Sequence, residues 1–574
     1  LGQVKGIKRL GFGITAAALA AVVGVSAGAS APLADCNDLL MASAAIQKLT
    51  EEEHWKTTGL TYSHLTGEGL IEPEQCRRTP LDFLICISAL NALARSGKTQ
   101  WMLLPKGLVK KYSKEIESTE MKFGDIHLVK LKAARPTPPG KSFKETFKRI
   151  MERETEYRES LEKVLTSGRF DIMTALAEFV ELVRDPQNEA IQVGAAFNAA
   201  FNLEDPHAYI LPTSLLEEGL RLAGMDTLVG VGIQLRSIDS HFYVDRVIKG
   251  GSAASAGLLV GDTIIAIDGR STKKEPIAGL LGRITGREGT VVRFTVERKK
   301  QVIEVAVTRR RLEMKNVESE IVEDGFGARV GHIRLNTFAN ANACDEVKKA
   351  VQSLRDQGAK SLILDLRGNP GGLLDQGACI AGLFLGRELV AVQKDLESGN
   401  SIPAFGSHRK ITSLPMVVLI NGHSASASEL VAGALRDHHR AWMVGERSFG
   451  KGTVQHATSY DESGRIVFYR TRERFHQPSG SSNQLVGITP NVTVFESPDA
   501  TEEEFVAREG DLYVNAIPGS RKVWREDRPE EVRSLKSCMD SQGWAKRRWR
   551  ELKESGKFAD YQLLSAVELL GCQN

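Results

Sequence analysis

"MVVLINGHSASASELVAGALRDHHRAWMVGERSFGKGTVQ", residues 416–455, passes twice from an apolar run into a glycine- and serine-bearing loop. The runs MVVLIN (416–421) and AWMVGE (441–446) are of strand length and show no polar alternation, and SELVAGALRDHH between them reads as a helix. Strands of this kind joined by helices predict a sheet covered on both faces. SLILDLR (361–367), followed by the helix-like LLDQGACIAGLFLG, repeats the pattern upstream. Sites in such sheets gather where loops leave the C-terminal ends of the strands. Two loops leave there: GNPGG after Arg367 and GHSAS after Asn421.

The serines of HSASASEL admit two readings. Ser426 followed by Glu429 is S-x-x-E, a capping box that only starts a helix. Alternatively, Ser426 is a nucleophile. Lys451 supports the second reading: it lies between two glycines after the next strand, and a buried lysine held neutral can take a serine proton. Consecutive parallel strands would bring both residues to one edge of the sheet, although nothing in the spacing requires them to touch. His423, three residues before Ser426, offers a competing Ser-His scheme.

The chain has 574 residues, enough for three or four domains at roughly 150 residues each. Its formal net charge of +3 with 26% charged residues shows no bulk bias toward nucleic acid. Near the N-terminus, Lys5, Lys8 and Arg9 precede LGFGITAAALAAVVGVSAG and then Ala29-Ser30-Ala31, the order of a secretory signal peptide cleaved after Ala27 or Ala29. A retained membrane anchor is the alternative, since the run approaches spanning length. LADC (33–36) has the outline of a lipoprotein site, but Asp35 stands where a small residue is needed. Of the seven cysteines, Cys538 and Cys572 are expected to pair, whereas Cys344 and Cys379 are expected to be buried thiols. No cysteine or histidine spacing suggests a metal, and no cofactor is expected.

Residues 36–205 read as helical and charged, interrupted by RPTPPGK at 135–141. From about 215 to 310 the texture changes to short β-branched runs set off by glycine. This stretch, with GSAASAGLLVGDTIIAIDG inside it, resembles a PDZ domain. The resemblance places Gly230, Val231, Gly232 and Ile233 in the loop that binds a peptide carboxylate; a PDZ-like fold used only for packing is the alternative. The tail from about 500 returns to helix and charge.

The whole of 421–455 resembles the signature of the carboxyl-terminal processing peptidases, or tail-specific serine proteases. The likeness extends through VGHIRLNTF, DLRGNPGGLL, PSG (478–480), GITPN (487–491) and DPHAYIL (205–211). The likeness covers about 205–495 and implies a PDZ domain at 213–310 and a crotonase/ClpP-like serine protease core at 311–497. With the flanks read from their own residues, the chain is expected to be a multidomain α/β protein with a signal peptide 1–29, a helical N-terminal domain 30–212 and a helical C-terminal extension 498–574. The resemblance places the nucleophile on Ser426, the base on Lys451 and a supporting glutamine on Gln455. It places the oxyanion hole on backbone N–H groups of Gly371 or Gly372 and of Ala427. Implied partners are proteins with exposed C-terminal tails, together with an adaptor or a second copy at the helical flanks; no nucleic acid is implied, and the membrane is met only through the signal. A bacterial periplasmic enzyme trimming envelope proteins is therefore expected. Two other readings stay open: a PDZ-bearing binding or scaffold protein without turnover, and an esterase for small acyl groups.

Overall fold

The computed structural model describes residues 58, 60, 86–92, 101–132, parts of 152–164, 189–215 and, with short gaps, 227–573. The signal-like segment, Cys36, Cys76 and RPTPPGK lie outside the described residues.

The central sheet has the strand order Val317–Glu323, Arg329–Leu335, Ser361–Asp365, Met416–Ile420, Trp442–Gly445, Val492–Thr493. The first pair is antiparallel and every later pair is parallel. Crossover helices Ala343–Asp356, Leu374–Leu385 and Ala427–Asp437 connect successive parallel strands. Each crossover moves the chain one strand along in the same direction, and crossovers of one hand then put their helices on one face. Leu362, Leu364, Val418 and Ile420 point into that helix-covered core. Ile363, Val417, Leu419 and Val444 point the other way, where Val532, Leu535, Ala566, Val567 and Leu570 of the C-terminal helices cover them. The tail is thus the second layer on the central sheet. It is also pinned electrostatically: Arg367 donates at 2.7 Å to both Asp365 and Asp560, and Asp560 caps the helix Tyr561–Gly571.

A second sheet runs Ser401–Phe405, Leu389–Asp395, Ile466–His476, Thr453–Ser459, with Tyr209–Pro212 also pairing with Ile466–His476. Its strand Thr453–Ser459 begins two residues after Lys451. Between the N-terminal region and the core lies a six-stranded sheet whose path, Gln301–Thr308, Val291–Arg298, Thr263–Ile267, His241–Val247, Ile233–Ile238, leaves Ile233–Ile238 at an edge.

Two expectations need correction. The N-terminal region is helical at 86–92 and Glu189–Glu204, but Trp101–Pro105, Ile116–Phe123 and Ile126–Leu131 form a three-stranded antiparallel sheet. The charges of Ile116–Phe123 face outward while Ile116 and Phe123 are buried. Gly124, at φ 64°, makes the two-residue turn into Ile126. Cys344 and Cys379 are not free thiols. They form a disulfide because their helices pack side by side, with Cα atoms 6.0 Å apart. Cys538 and Cys572 are bonded to each other as expected.

Candidate active site

The loop after Met416–Ile420 turns sharply into the helix Ala427–Asp437, and Ser426 makes the turn at φ 56° and ψ −113°. Such a backbone costs a non-glycine residue about 1–3 kcal/mol and persists only where its surroundings hold it. The three alternate serines divide the work. Ser424 Oγ donates to Leu366 O at 2.8 Å and Ser428 Oγ to Asn369 O at 2.9 Å, so both fasten this loop to DLRGN. Ser426 Oγ is buried without a hydrogen-bond partner. Half of the capping box is made, Ser426 N–H donating to Glu429 Oε2 at 2.9 Å, but the hydroxyl makes no cap bond. His423 is exposed, with its N–H on Asn421 Oδ1 at 3.2 Å.

Lys451 is as deeply buried as Ser426, 1% and 0% exposed respectively. Its amine lies 2.6 Å from Gln455 Oε1, 3.1 Å from Thr453 Oγ1 and 3.2 Å from Thr453 O. Burial drives its pKa down to about 8, against the opposing pull of Glu509, Asp205 and Glu429. A substantial fraction of the amine is therefore neutral near pH 8, as a base must be. Gln455 sits on the strand Thr453–Ser459, where side chains two residues apart share a face, so Thr453 and Gln455 both turn toward Lys451.

Glu429 joins the two loops, a role that sequence reading reduced to helix capping. Its Oε2 accepts from Ser426 N at 2.9 Å and Lys451 N at 2.8 Å. The backbones of the two residues are therefore no further apart than two hydrogen-bond lengths. Its Oε1 accepts from Ser448 Oγ at 2.5 Å and Gly450 N at 2.8 Å. Burial pushes the Glu429 carboxyl up to about 7, although these four donors favour its charged form. Gln484 and Glu509 also went unread, and they link the lysine loop to His207 of DPHAYIL. Gly452 N donates to Gln484 Oε1 at 2.7 Å, Gln484 Nε2 to Glu509 Oε1 at 3.3 Å, and Glu509 Oε1 pairs with His207 Nε2 at 2.7 Å. S-x-x-E and DPHAYIL were the local signals for these contacts; nothing local marked Gln484 or Glu509.

Of the proposed oxyanion donors, Gly371 and Ala427 lie together. A Cβ on Gly371 would come within 2.8 Å of Ala425 O and 2.9 Å of both Ala427 N and Ser426 Cβ. Ala427 N–H opens its helix and has no carbonyl one turn back to bond. Gly371 N–H donates to Asn369 Oδ1 at 2.9 Å. Gly372 is wedged elsewhere, where a Cβ would stand 2.2 Å from Ala339 N. In the β-rich region, Gly230 ends the strand Thr227–Gly230, Val231 is buried and Gly232 has φ 85°. Val231 O accepts from Ala253 N at 2.8 Å, and Ile233 begins the edge strand.

Comparison with known proteins matches residues 329–494 to Peptidase family S41 and residues 243–298 to the PDZ domain. A carboxyl-terminal-processing protease of a Picosynechococcus species is 36% identical over 303 residues, which are 52% of this chain and 71% of that protein. A probable CtpA-like serine protease of Staphylococcus haemolyticus is 28% identical over 344 residues, 59% of this chain and 64% of that one. The chain thus spans about two thirds of the length of these relatives. Among solved structures, the photosystem II D1 C-terminal processing protease is 28% identical, with a TM-score of 0.38, covering 56% of this chain and 87% of that one. With an α/β core and a β-rich region that match the peptidase and PDZ families, and the Picosynechococcus relative aligned over most of its own length, the chain belongs to peptidase family S41, beside the carboxyl-terminal-processing serine proteases.

Proposed function

We propose that the protein is an exported serine endopeptidase that holds a substrate's C-terminal tail in its PDZ domain and cuts with Ser426, Lys451 and Gln455. The observation that carries this reading is that the backbone N–H groups of Ser426, whose buried hydroxyl is unpartnered, and of Lys451, whose buried amine has its pKa lowered to about 8, both bond one oxygen of Glu429. Ser426 Oγ attacks the scissile carbonyl while Lys451 Nζ takes the hydroxyl proton, and Gln455 Oε1 holds the amine. Backbone N–H groups of Ala427 and Gly371 receive the developing oxyanion at the helix start, Gly371 after release from Asn369. The protonated lysine returns its proton to the leaving amine, and water then releases the acyl-enzyme. The edge strand Ile233–Ile238 suits tail capture, because its outer side, which pairs with no further strand among the described residues, can add the tail as one. Because Ser426 is fully buried, the substrate's entry requires the site to open, and a tail-binding domain ahead of the core is placed to govern that step.

The division into signal peptide, N-terminal region, PDZ domain, peptidase core and C-terminal layer, the export to a bacterial envelope with envelope proteins as substrates, and an adaptor or second copy at the helical flanks belong to the same proposal. Cleavage of an unfolded protein with an apolar C-terminal tail tests it. Ser426→Ala and Lys451→Ala should each lower kcat at least about 10³-fold while the proteins stay folded. Retained cutting by Ser426→Ala would refute the reading, and loss with Ser426→Ala alone would move the base to His423.

A further inference from the structure

Asp205 lies in DPHAYIL, ahead of the PDZ region and more than two hundred residues from the base, yet it reaches the catalytic glutamine. Its Oδ2 accepts from Thr471 N at 2.6 Å, and its Oδ1 from Thr471 Oγ1 at 2.9 Å and His207 N at 3.0 Å. Thr471 Oγ1 in turn lies 3.0 Å from Gln455 Nε2, and Gln455 Oε1 lies 2.6 Å from Lys451 Nζ. The directions of these bonds follow from chemistry. An ionised carboxylate only accepts, so the Thr471 hydroxyl must spend its one proton on Asp205. The hydroxyl then has only lone pairs left for Gln455. The amide group facing Thr471 must therefore be the NH2, and the carbonyl oxygen is turned toward the lysine.

The rotation of that amide decides what the base can do. A neutral lysine amine has two N–H donors and one lone pair. Gln455 Oε1 and Thr453 O take the two donors, at 2.6 and 3.2 Å. The lone pair is left to a hydroxyl, either Thr453 Oγ1 at 3.1 Å or Ser426. A hydroxyl can rotate away. Were the amide reversed, its NH2 would donate into the lone pair that has to receive the Ser426 proton.

We infer that Asp205 is a positioning residue for the base: through the Thr471 hydroxyl it fixes the Gln455 amide so that the carbonyl oxygen, and not the NH2, faces Lys451. The inference rests on the Ser-Lys reading and extends the catalytic apparatus to the N-terminal side of the PDZ region. Asp205→Asn offers Thr471 a side chain that can donate as well as accept, so the direction of the chain is lost.

The test is a double-mutant cycle on cleavage of the same tailed, unfolded protein. Asp205→Asn and Gln455→Ala are each expected to lower kcat about 10- to 100-fold with KM within about twofold. If Asp205 acts through Gln455, the double variant is no slower than Gln455→Ala. A double variant slowed by the product of the two single effects, or Asp205→Asn turning over like wild type, overturns the inference. Should Asp205→Asn fail to fold, Thr471→Val and Thr471→Ser decide: the valine is expected to lose kcat as above and the serine to keep it within about threefold, and equal turnover by both overturns it. Ser426→Ala runs beside them. Normal cutting by that variant removes the Ser-Lys reading and this inference together, whereas a dead Ser426→Ala beside fully active Asp205→Asn and Thr471→Val removes only the positioning role.

Discussion

The loop that carries Ser426 and the loop that carries Lys451 are built on different principles. The serine loop combines local and distant support: a buried strand ends, a strained turn follows, Glu429 three residues on returns a hydrogen bond to the Ser426 backbone, and Ser424 and Ser428 tie the loop to Leu366 and Asn369. The lysine loop has almost no local support. Ser448, Gly450 and Lys451 hang on Glu429, Gly452 on Gln484, and Phe449 O accepts from Glu509 N at 3.2 Å. One end of the proposed dyad is set in part by its own neighbours in sequence, and the other almost wholly by segments that fold against it. The nucleophile's geometry should therefore survive many distant changes that displace the base.

Glu429 belongs to both loops, so its removal gives the largest expected effect. Glu429→Ala leaves four buried donors unsatisfied, which should cost about 3 kcal/mol or more of stability and about 100-fold or more in the rate at which a fluorophosphonate labels Ser426. Thermal denaturation and labelling kinetics read the two effects, and an unchanged labelling rate would break the idea of a shared clamp. The pH profile comes next. A base acts when neutral, so kcat/KM should rise with pH through about 8, where Lys451 deprotonates, and fall as acid protonates it. A flat profile from pH 6 to 9 would remove Lys451 as the base.

Glu509→Gln sharpens the contrast. Its negative charge opposes the depression of the Lys451 pKa by burial, so neutralising it should move the rising limb to lower pH while Ser426 Oγ keeps its place. An unmoved limb would show that the C-terminal layer does not tune the base. The smallest effect is expected at His423, exposed on the serine loop: His423→Ala should change kcat less than about threefold, and a large loss would revive it as the base.

Much of this site was legible because it sits in local patterns. Ser426 and Lys451 fall in one stretch with two strand-to-loop junctions, Gln455 came from the family resemblance of that stretch, and the helical tail shows its Cys538–Cys572 pair through two helix-borne cysteines. The hairpin at 116–131 escaped because a strand with outward charges and a two-residue turn has the same composition as a charged helix. Cys344 and Cys379 escaped because adjacency of two helices is a property of packing. Asp205, Thr471 and Glu509 escaped for a stronger reason: each reaches the base by a side-chain hydrogen bond or a buried charge, and neither leaves any periodicity in the chain.

The sequence by itself determined the strands and crossover helices of the central sheet and marked Ser426 and Lys451 at its loops, since these follow from apolar periodicity, glycine placement and short-range capping. Only the tertiary structure decided that the tail from Pro529 onward covers the second face of the sheet, that Gly371 rather than Gly372 lies against Ser426, and that a carboxylate from DPHAYIL reaches Gln455 through Thr471. Burial and hydrogen-bond direction depend on which segments meet, and segments hundreds of residues apart meet only once the core has closed around them.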